Sequence, residues 1–361
     1  CVWHFGFLLF QVLAMVENND EKILIIGPAW VGDMVMSQSL YRALKENYPG
    51  CQISVMAPSA VTPLLKYMPE VDEGLDFDLK HGELKLRLRR QIGLSLKERG
   101  FTRAIVLPQS FKSALIPWHA GIKKRIGWRG EWRDPLLNDC RKPKKTHYPL
   151  MVQRFAALAY PSTNNGQAPE FLNPKLLVEP KNVTRTASAF EIQSGSNILA
   201  ICPGAEFGKA KQWPADYFAE LANLALARDW QILVFGSAND SPIAEAILAN
   251  IEDAARDRVV NLTGRTSLGE AIELMSLASV VVSNDSGLMH VAAALGKPIA
   301  AIYGSTSPSF TPPLADKVKL LATDIECRPC FKRECPLGHL LCLKEIMPKE
   351  VNEAVNTLRS A

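Results

Sequence analysis

Short apolar runs rich in Val and Ile alternate along the chain with longer stretches of helical periodicity. In the first half, KILIIG (22–27) predicts a buried strand, and DMVMSQSLYRALKENYPG predicts a helix that stops at Pro49-Gly50. QISVMAP reads as a second strand, and a short helix is expected near VTPLLKYMPE. GELKLRLRRQIGLSLKERG is amphipathic, and RAIVLP (103–108) returns to strand. From about 161 to 195 the chain turns to Pro, Ser, Asn and Gly, which predicts a linker with one extended segment at PKLLVE. The alternation then restarts with NILAICPG, PADYFAELANLALARD, QILVFGS, SPIAEAILANI, VVNLTG, SLGEAIELMSLA, SVVVSN, GLMHVAAALG and PIAAIYGS. Alternating strands and helices make a parallel sheet covered on both faces. The expected organisation is a first α/β domain over 15–185, a second over 186–345 and a closing helix over 346–361.

A length of 361 residues accommodates two such domains, each with its own core. The 47% hydrophobic and 22% charged composition is that of an ordinary globular chain, and a net charge of +4 excludes little. Its distribution says more: nine Lys or Arg and three acids fall between Gly121 and Lys145. An anionic partner such as phosphate, carboxylate or a membrane surface fits that excess, and so does a plain solvated face. Nothing points to nucleic acid. CVWHFGFLLFQVLAMV at the start holds an apolar run of roughly twelve residues, too short to span a bilayer. It lacks a basic flank and a small-residue cleavage site, and ENNDEK follows, so residues 1–14 read as an upstream extension outside the fold.

Of the eight cysteines, Cys51, Cys140 and Cys202 have no spacing partner, which argues against a disulfide scaffold and for a reducing compartment. Cys327, Cys330, Cys335 and Cys342 are spaced x2, x4 and x6, with His339 among them. A zinc knuckle is one reading of that segment. The second pair is wider than ribbon spacing, so free loop thiols are expected and no metal site is assigned.

In doubly wound sheets, ligands bind beyond the carboxyl ends of the strands. Small and polar residues collect there: Gly27, Gly32 and Asp33 after the first strand, then PGAEFGKAKQWP, FGSAND, LTGRTS and NDSG in the second half. Tight turns explain the glycines singly but leave Lys211, Asp285 and His290 unexplained. Neither G-x-G-x-x-G nor G-x-x-x-x-G-K-[ST] is present, which disfavours a dehydrogenase and a P-loop enzyme. DFD at Asp76–Asp78 is a D-x-D triplet in an acidic stretch, read as a solvated loop. The start of GLMHVAAALG offers unpaired N–H groups and a positive dipole end behind Gly287, a setting suited to phosphate.

Three segments in order, GPAWVGDMVMSQSLYRAL, CPGAEFGKAKQWP and NDSGLMHVAAALGKPIAAIYGSTSP, resemble the ADP-heptose:lipopolysaccharide heptosyltransferases of glycosyltransferase family 9. FKSALIPWHAGIKKRIGWRGEWRDPLLND (111–139) resembles the type II members. The likeness runs from about residue 22 to the C-terminus and is weakest at 327–342. It implies the GT-B arrangement, two Rossmann-like domains facing across a cleft, with acceptor on the first and nucleotide sugar on the second. It implies transfer of a heptose from ADP-heptose, with inversion, to the first heptose of the lipopolysaccharide inner core. No obligatory cofactor is implied, although a divalent cation can stimulate.

Inversion needs a base for the acceptor hydroxyl on one face while the diphosphate leaves from the other. Asp33 matches the family's catalytic aspartate; helix capping is the competing reading. Lys211 matches a lysine that stabilises the leaving ADP, with Lys209 as a substitute. Gly204, Gly236 and the N–H groups of Ser286, Gly287 and Leu288 complete the expected donor site, with Asp285 accepting from sugar hydroxyls. His290 reads equally as a ligand contact or a core histidine. On the acceptor side Gly32, Lys112, Lys124, Arg125, Trp128 and Arg129 are expected to meet the carboxylates, phosphates and sugars of the inner core, with Trp128 reading equally as a core or interface residue. The expected enzyme is a monomer without a transmembrane segment, cytoplasmic and peripheral to the inner face of the inner membrane. A type I heptosyltransferase, a nucleotide-sugar epimerase of GT-B shape and a periplasmic binding protein are the rivals. The basic 121–145 face opposes the epimerase, and the missing cleavage site opposes the binding protein.

Overall fold

The computed structural model describes residues 21–77, 83–143, 146–162, 168–193, 195 and 197–360. The extension 1–14, Asp78 of the D-x-D triplet, and Lys144 and Lys145 of the basic stretch lie outside them. The chain divides into two compact units between Leu172 and Asn173.

The first unit contains β1 (Lys22–Ile26), α1 (Val31–Asn47), β2 (Gln52–Pro58), β3 (Glu73–Phe77), α2 (Leu86–Ser95), β4 (Arg103–Val106), α3 (Leu115–His119), β5 (Lys124–Trp128), β6 (Asp139–Arg141) and α4 (Met151–Ala156). Its strands form one parallel sheet in the order β3-β2-β1-β4-β5-β6. All four residues of β4 are buried, and Leu24, Ile26, Ala104, Val106 and Ile116 pack into one apolar cluster. Two near-continuous apolar faces suit a strand covered by helices on both sides.

The second unit contains α5 (Pro180–Ala189), β7 (Ile198–Cys202), α6 (Ala215–Leu226), β8 (Gln231–Val234), α7 (Ser241–Ala249), β9 (Val259–Asn261), α8 (Leu268–Met275), β10 (Val280–Asn284), α9 (Gly287–Ala294), β11 (Ile299–Ile302), β12 (Val318–Leu321), α10 (Leu341–Lys344) and α11 (Pro348–Ser360). The order of its parallel sheet is β12-β11-β10-β7-β8-β9. Trp213 anchors the core: its indole N–H donates to Ile346 O at 2.8 Å, and its ring meets Phe218 edge-on at 4.8 Å. The expected doubly wound α/β class is observed in both units.

Several expectations change. The boundary expected after residue 185 stands before α5, because Leu176 N donates to Ala294 O at 2.8 Å and Thr186 Oγ1 donates to Glu273 at 2.5 Å. The segment read as linker thus carries a helix whose buried face is Val183, Thr186 and Ala187, while PKLLVE is not a strand. Asp76 lies in the edge strand β3 rather than in a loop. The closing helix is present as α11.

Candidate functional site

Each sheet has a switch point where the strand order reverses, between β1 and β4 in the first unit and between β7 and β10 in the second. A crevice opens outside the carboxyl ends of the strands at such points. Asp33 follows β1, Lys112 follows β4, the 203–211 loop follows β7, and Asp285–Leu288 follows β10. The candidate groups therefore stand at the positions where doubly wound sheets bind ligands.

Asp33 sits in the first turn of α1, whose N-cap is Trp30, so it is not the capping residue. Its carboxylate is half-buried, and no side chain among the described residues is paired with it. Burial without a partner pushes its pKa up to about 6. A carboxylate held there is a poised proton acceptor near neutral pH. Gly32 is buried beside it in the same turn.

The second unit's site is tied together across long sequence distances. Asn284 accepts from Trp213 N at 3.1 Å and donates to Pro203 O at 2.7 Å, pinning the 203–213 loop to the end of β10. The next residue, Asp285, is buried and accepts from Lys211 Nζ at 2.6 Å and from Thr306 Oγ1 at 2.6 Å. Lys211 also lies 4.9 Å from the centre of the Phe207 ring, a cation–π contact. Asp285 thus orients a lysine through its Oδ2, a part that the sequence did not point to. Lys209 is exposed on the same 3₁₀ turn.

α9 begins at Gly287 behind an extended Ser286 with no side-chain cap. The N–H groups of Ser286, Gly287 and Leu288 are the leading donors of a helix whose dipole is positive at that end. His290, one turn on, is buried, and burial lowers its pKa to about 4, so it is neutral. Asp285 and Lys211 act on it electrostatically in opposite senses.

Gly204 and Gly236 have a different reason to be glycine. A Cβ on Gly204 would run into the Asp240 carboxyl group, and one on Gly236 would lie 2.8 Å from Asp240 Cβ. Asp240 itself accepts from Ser237 N and Oγ at 2.8 Å. These two glycines make room for a side chain, and a donor role is not needed to explain them.

The basic stretch splits by position. Lys124 and Arg125 open β5, at the end of the sheet opposite Asp33, and Arg125 is spent on Leu136 O and Ile122 O. Trp128 is a core residue, buried against Tyr148 with its N–H on Arg154 O at 2.9 Å. These three are corrections to the expected acceptor set. Arg129, ion-paired with Asp134 at 3.1 Å, and Lys112 remain on the ligand-bearing end. Sequence reasoning missed Arg133, fully buried and donating to Trp128 O, Pro108 O and Ser113 Oγ, which fastens the loops after β4 and β5. It also missed Thr306 and Asp240. Thr306 carried a signal, a hydroxyl just past a predicted strand end.

The family profile described as glycosyltransferase family 9 (heptosyltransferase) matches residues 89–341. The chain belongs to glycosyltransferase family 9. It is 45% identical over 341 residues to the lipopolysaccharide heptosyltransferase 2 of Escherichia coli K12, covering 93% of this chain and 98% of that protein. The lipooligosaccharide heptosyltransferase 2 of Haemophilus influenzae is 45% identical over 344 residues, covering 93% and 99%. The solved E. coli ADP-heptose lipopolysaccharide heptosyltransferase II superposes with a TM-score of 0.86 at 43% identity, covering 94% of this chain and 98% of that one. The family 9 chain is thus a glycosyltransferase with two Rossmann-like sheets of the GT-B class.

Proposed function

We propose that this chain transfers L-glycero-D-manno-heptose from ADP-heptose to the first heptose of the lipopolysaccharide inner core, with inversion. The observation that carries this reading is near full-length similarity, at 45% identity, to proteins named lipopolysaccharide or lipooligosaccharide heptosyltransferase 2.

The transfer can be written with this chain's own residues. The acceptor hydroxyl oxygen attacks the anomeric carbon of the donor as its bond to the ADP β-phosphate oxygen breaks. The electron pair of that bond leaves with ADP, and Asp33 takes the hydroxyl proton. Inversion follows from a single in-line displacement. Charge growing on the leaving diphosphate meets the Lys211 ammonium, which Asp285 and Thr306 hold in place. An ammonium has three donors, so a donor remains for the phosphate after Asp285 is served. The leading N–H groups of α9 take the other phosphate oxygens.

On the acceptor side, Lys112 and Arg129 fit anionic groups of the inner core. Trp132, 91% exposed in the loop after β5, offers a flat face to a sugar or acyl chain. The acceptor is a lipid, so the enzyme works as a peripheral protein at the cytoplasmic face of the inner membrane, as a single chain and without a resident catalytic cofactor. Among the described residues, no helix is long and apolar enough to cross a membrane.

The test is a transfer assay with ADP-heptose and lipopolysaccharide truncated after its first heptose. One heptose added, with ADP released in equal amount, supports the reading. Conversion of ADP-heptose alone to another nucleotide sugar, with no product on the acceptor, contradicts it.

A further inference from the structure

Outside the site described above, one side-chain cluster has no assigned role. Cys327, Cys330, Cys335 and Cys342 line a single cavity of about 20 Å³, with His339 and Arg328 on its wall. That is room for about one water-sized sphere. All four thiols are free. We propose that these four cysteines bind a structural thiophilic ion, Zn²⁺ or Fe²⁺, as four thiolates, and that the ion braces the loop carrying Lys211.

Four sulfurs around one small space is the donor set that selects tetrahedral zinc or iron. His339 is the lesser candidate, because its Nδ1 already accepts from Leu341 N at 3.0 Å. The turn that follows Cys335 is wound tightly, with Gly338 and Leu340 at positive φ, and brings the N–H groups of Leu337, Gly338, His339 and Leu340 around the Cys335 sulfur. Backbone donors of this kind stabilise a metal-bound thiolate from outside the coordination sphere. Arg328, on the cavity wall, brings a positive charge near the sulfurs.

The thiols stand around the cavity without being closed on a point. Among the described residues, no group of three or more Cys, His, Asp or Glu is gathered to hold an ion. The proposal therefore requires the four sulfurs to draw together when an ion binds, a change that metal binding itself can drive.

The consequence for the rest of the unit follows from its backbone bonds. Ala210 N donates to Arg333 O at 3.0 Å, Phe331 N to Ser305 O at 2.8 Å, and Ser305 N to Ala210 O at 3.1 Å. Arg328 reaches Gly304 O at 2.9 Å and Thr306 O at 3.1 Å. Gly208, at φ +148°, leaves no space for a Cβ against Arg333 O. The cysteine segment therefore lies directly on the residues that present Lys211 and Thr306.

The experiment is metal analysis of the full chain purified under reducing conditions, followed by removal of the ion and titration with Co²⁺. One zinc or iron per chain, or uptake of one Co²⁺ with a thiolate-to-metal charge-transfer band, supports the site. X-ray absorption then finds sulfur neighbours at about 2.3 Å for zinc. A C330S/C335S variant should lose the ion, and a chelator should lower the Tm of the unaltered chain. If neither zinc nor iron co-purifies and the ion-free chain takes up no Co²⁺, the proposal is overturned. An ion that persists at full stoichiometry in C330S/C335S overturns it too. Should that variant fail to fold, the cobalt spectrum of the unaltered chain decides.

Discussion

Asp285 holds Lys211 by an ion pair of 2.6 Å between residues 74 positions apart in sequence. Both side chains are largely withdrawn from water, at 13% and 6% exposure, so the pair is screened less than a surface one. The lysine has one place to be, and that place is the carboxyl end of β10 beside the start of α9.

Lys211→Ala should therefore cost the enzyme about 10²–10³ in kcat, the loss seen when one charge-stabilising donor is removed from a transition state. Asp285→Asn should lose most of the same factor, because the ammonium is no longer held. Since Asp285 acts through Lys211, the double variant should be little worse than Lys211→Ala alone. Steady-state kinetics on the three variants test this, and additive losses would mean that Asp285 acts independently.

Asp33 makes a prediction about stability that is separate from its chemistry. Its pKa rises from 3.8 to about 6 on folding because burial disfavours the charged form. The native state thus binds the proton more tightly than the unfolded state, and the penalty grows as pH climbs from 3.8 towards 6 and is complete above it. Asp33→Asn should stabilise the fold at pH 8 by up to about 3 kcal/mol. Below pH 4 the gain should vanish. Urea melts at the two pH values measure it, and an equal difference at both would contradict the burial argument.

Gly204→Ala should destabilise by about 1–3 kcal/mol, since the new methyl runs into the Asp240 carboxyl group. Adding Asp240→Ala should return most of that loss. If Gly204 instead matters through a ligand, the double variant will keep its poor donor KM while its Tm recovers.

Trp128 and Arg129 are neighbours that should behave oppositely. Trp128→Ala removes a buried indole and should cost about 3–5 kcal/mol of stability, with the acceptor KM unchanged in whatever folds. Arg129→Ala should leave Tm within a degree or so and raise the acceptor KM several-fold, since its pair with Asp134 is exposed. Thermal melts alongside acceptor titrations separate the two.

Much of this was legible in the chain. The buried parallel strands announced themselves as Val- and Ile-rich runs, and their ends pointed to Asp33, Lys211 and residues 285–288 through the rule for doubly wound sheets. What escaped was tertiary. The helix α5 reads as PKNVTRTASA, with Thr, Ser and Asn, and becomes helical because Val183, Thr186 and Ala187 find a surface to cover. β5 hid inside a basic stretch, so the sequence left Trp128 open between a sugar contact and a core residue and read Arg125 as a free cation. No spacing rule could join Lys211 to Asp285, Thr306 to the same carboxylate, or Asp240 to Gly204. Pairings of that kind depend on which strand ends the fold brings together.

The proposed transfer depends on Asp33 as the base for the acceptor's proton. Single-turnover transfer from ADP-heptose to the one-heptose acceptor should be lost in Asp33→Asn, while calorimetry shows ADP bound as tightly as before. In the unaltered enzyme kcat/KM should fall as pH drops below about 6, where the base is protonated. Near-normal turnover by Asp33→Asn, with the acidic limb of the pH profile intact, would contradict the account.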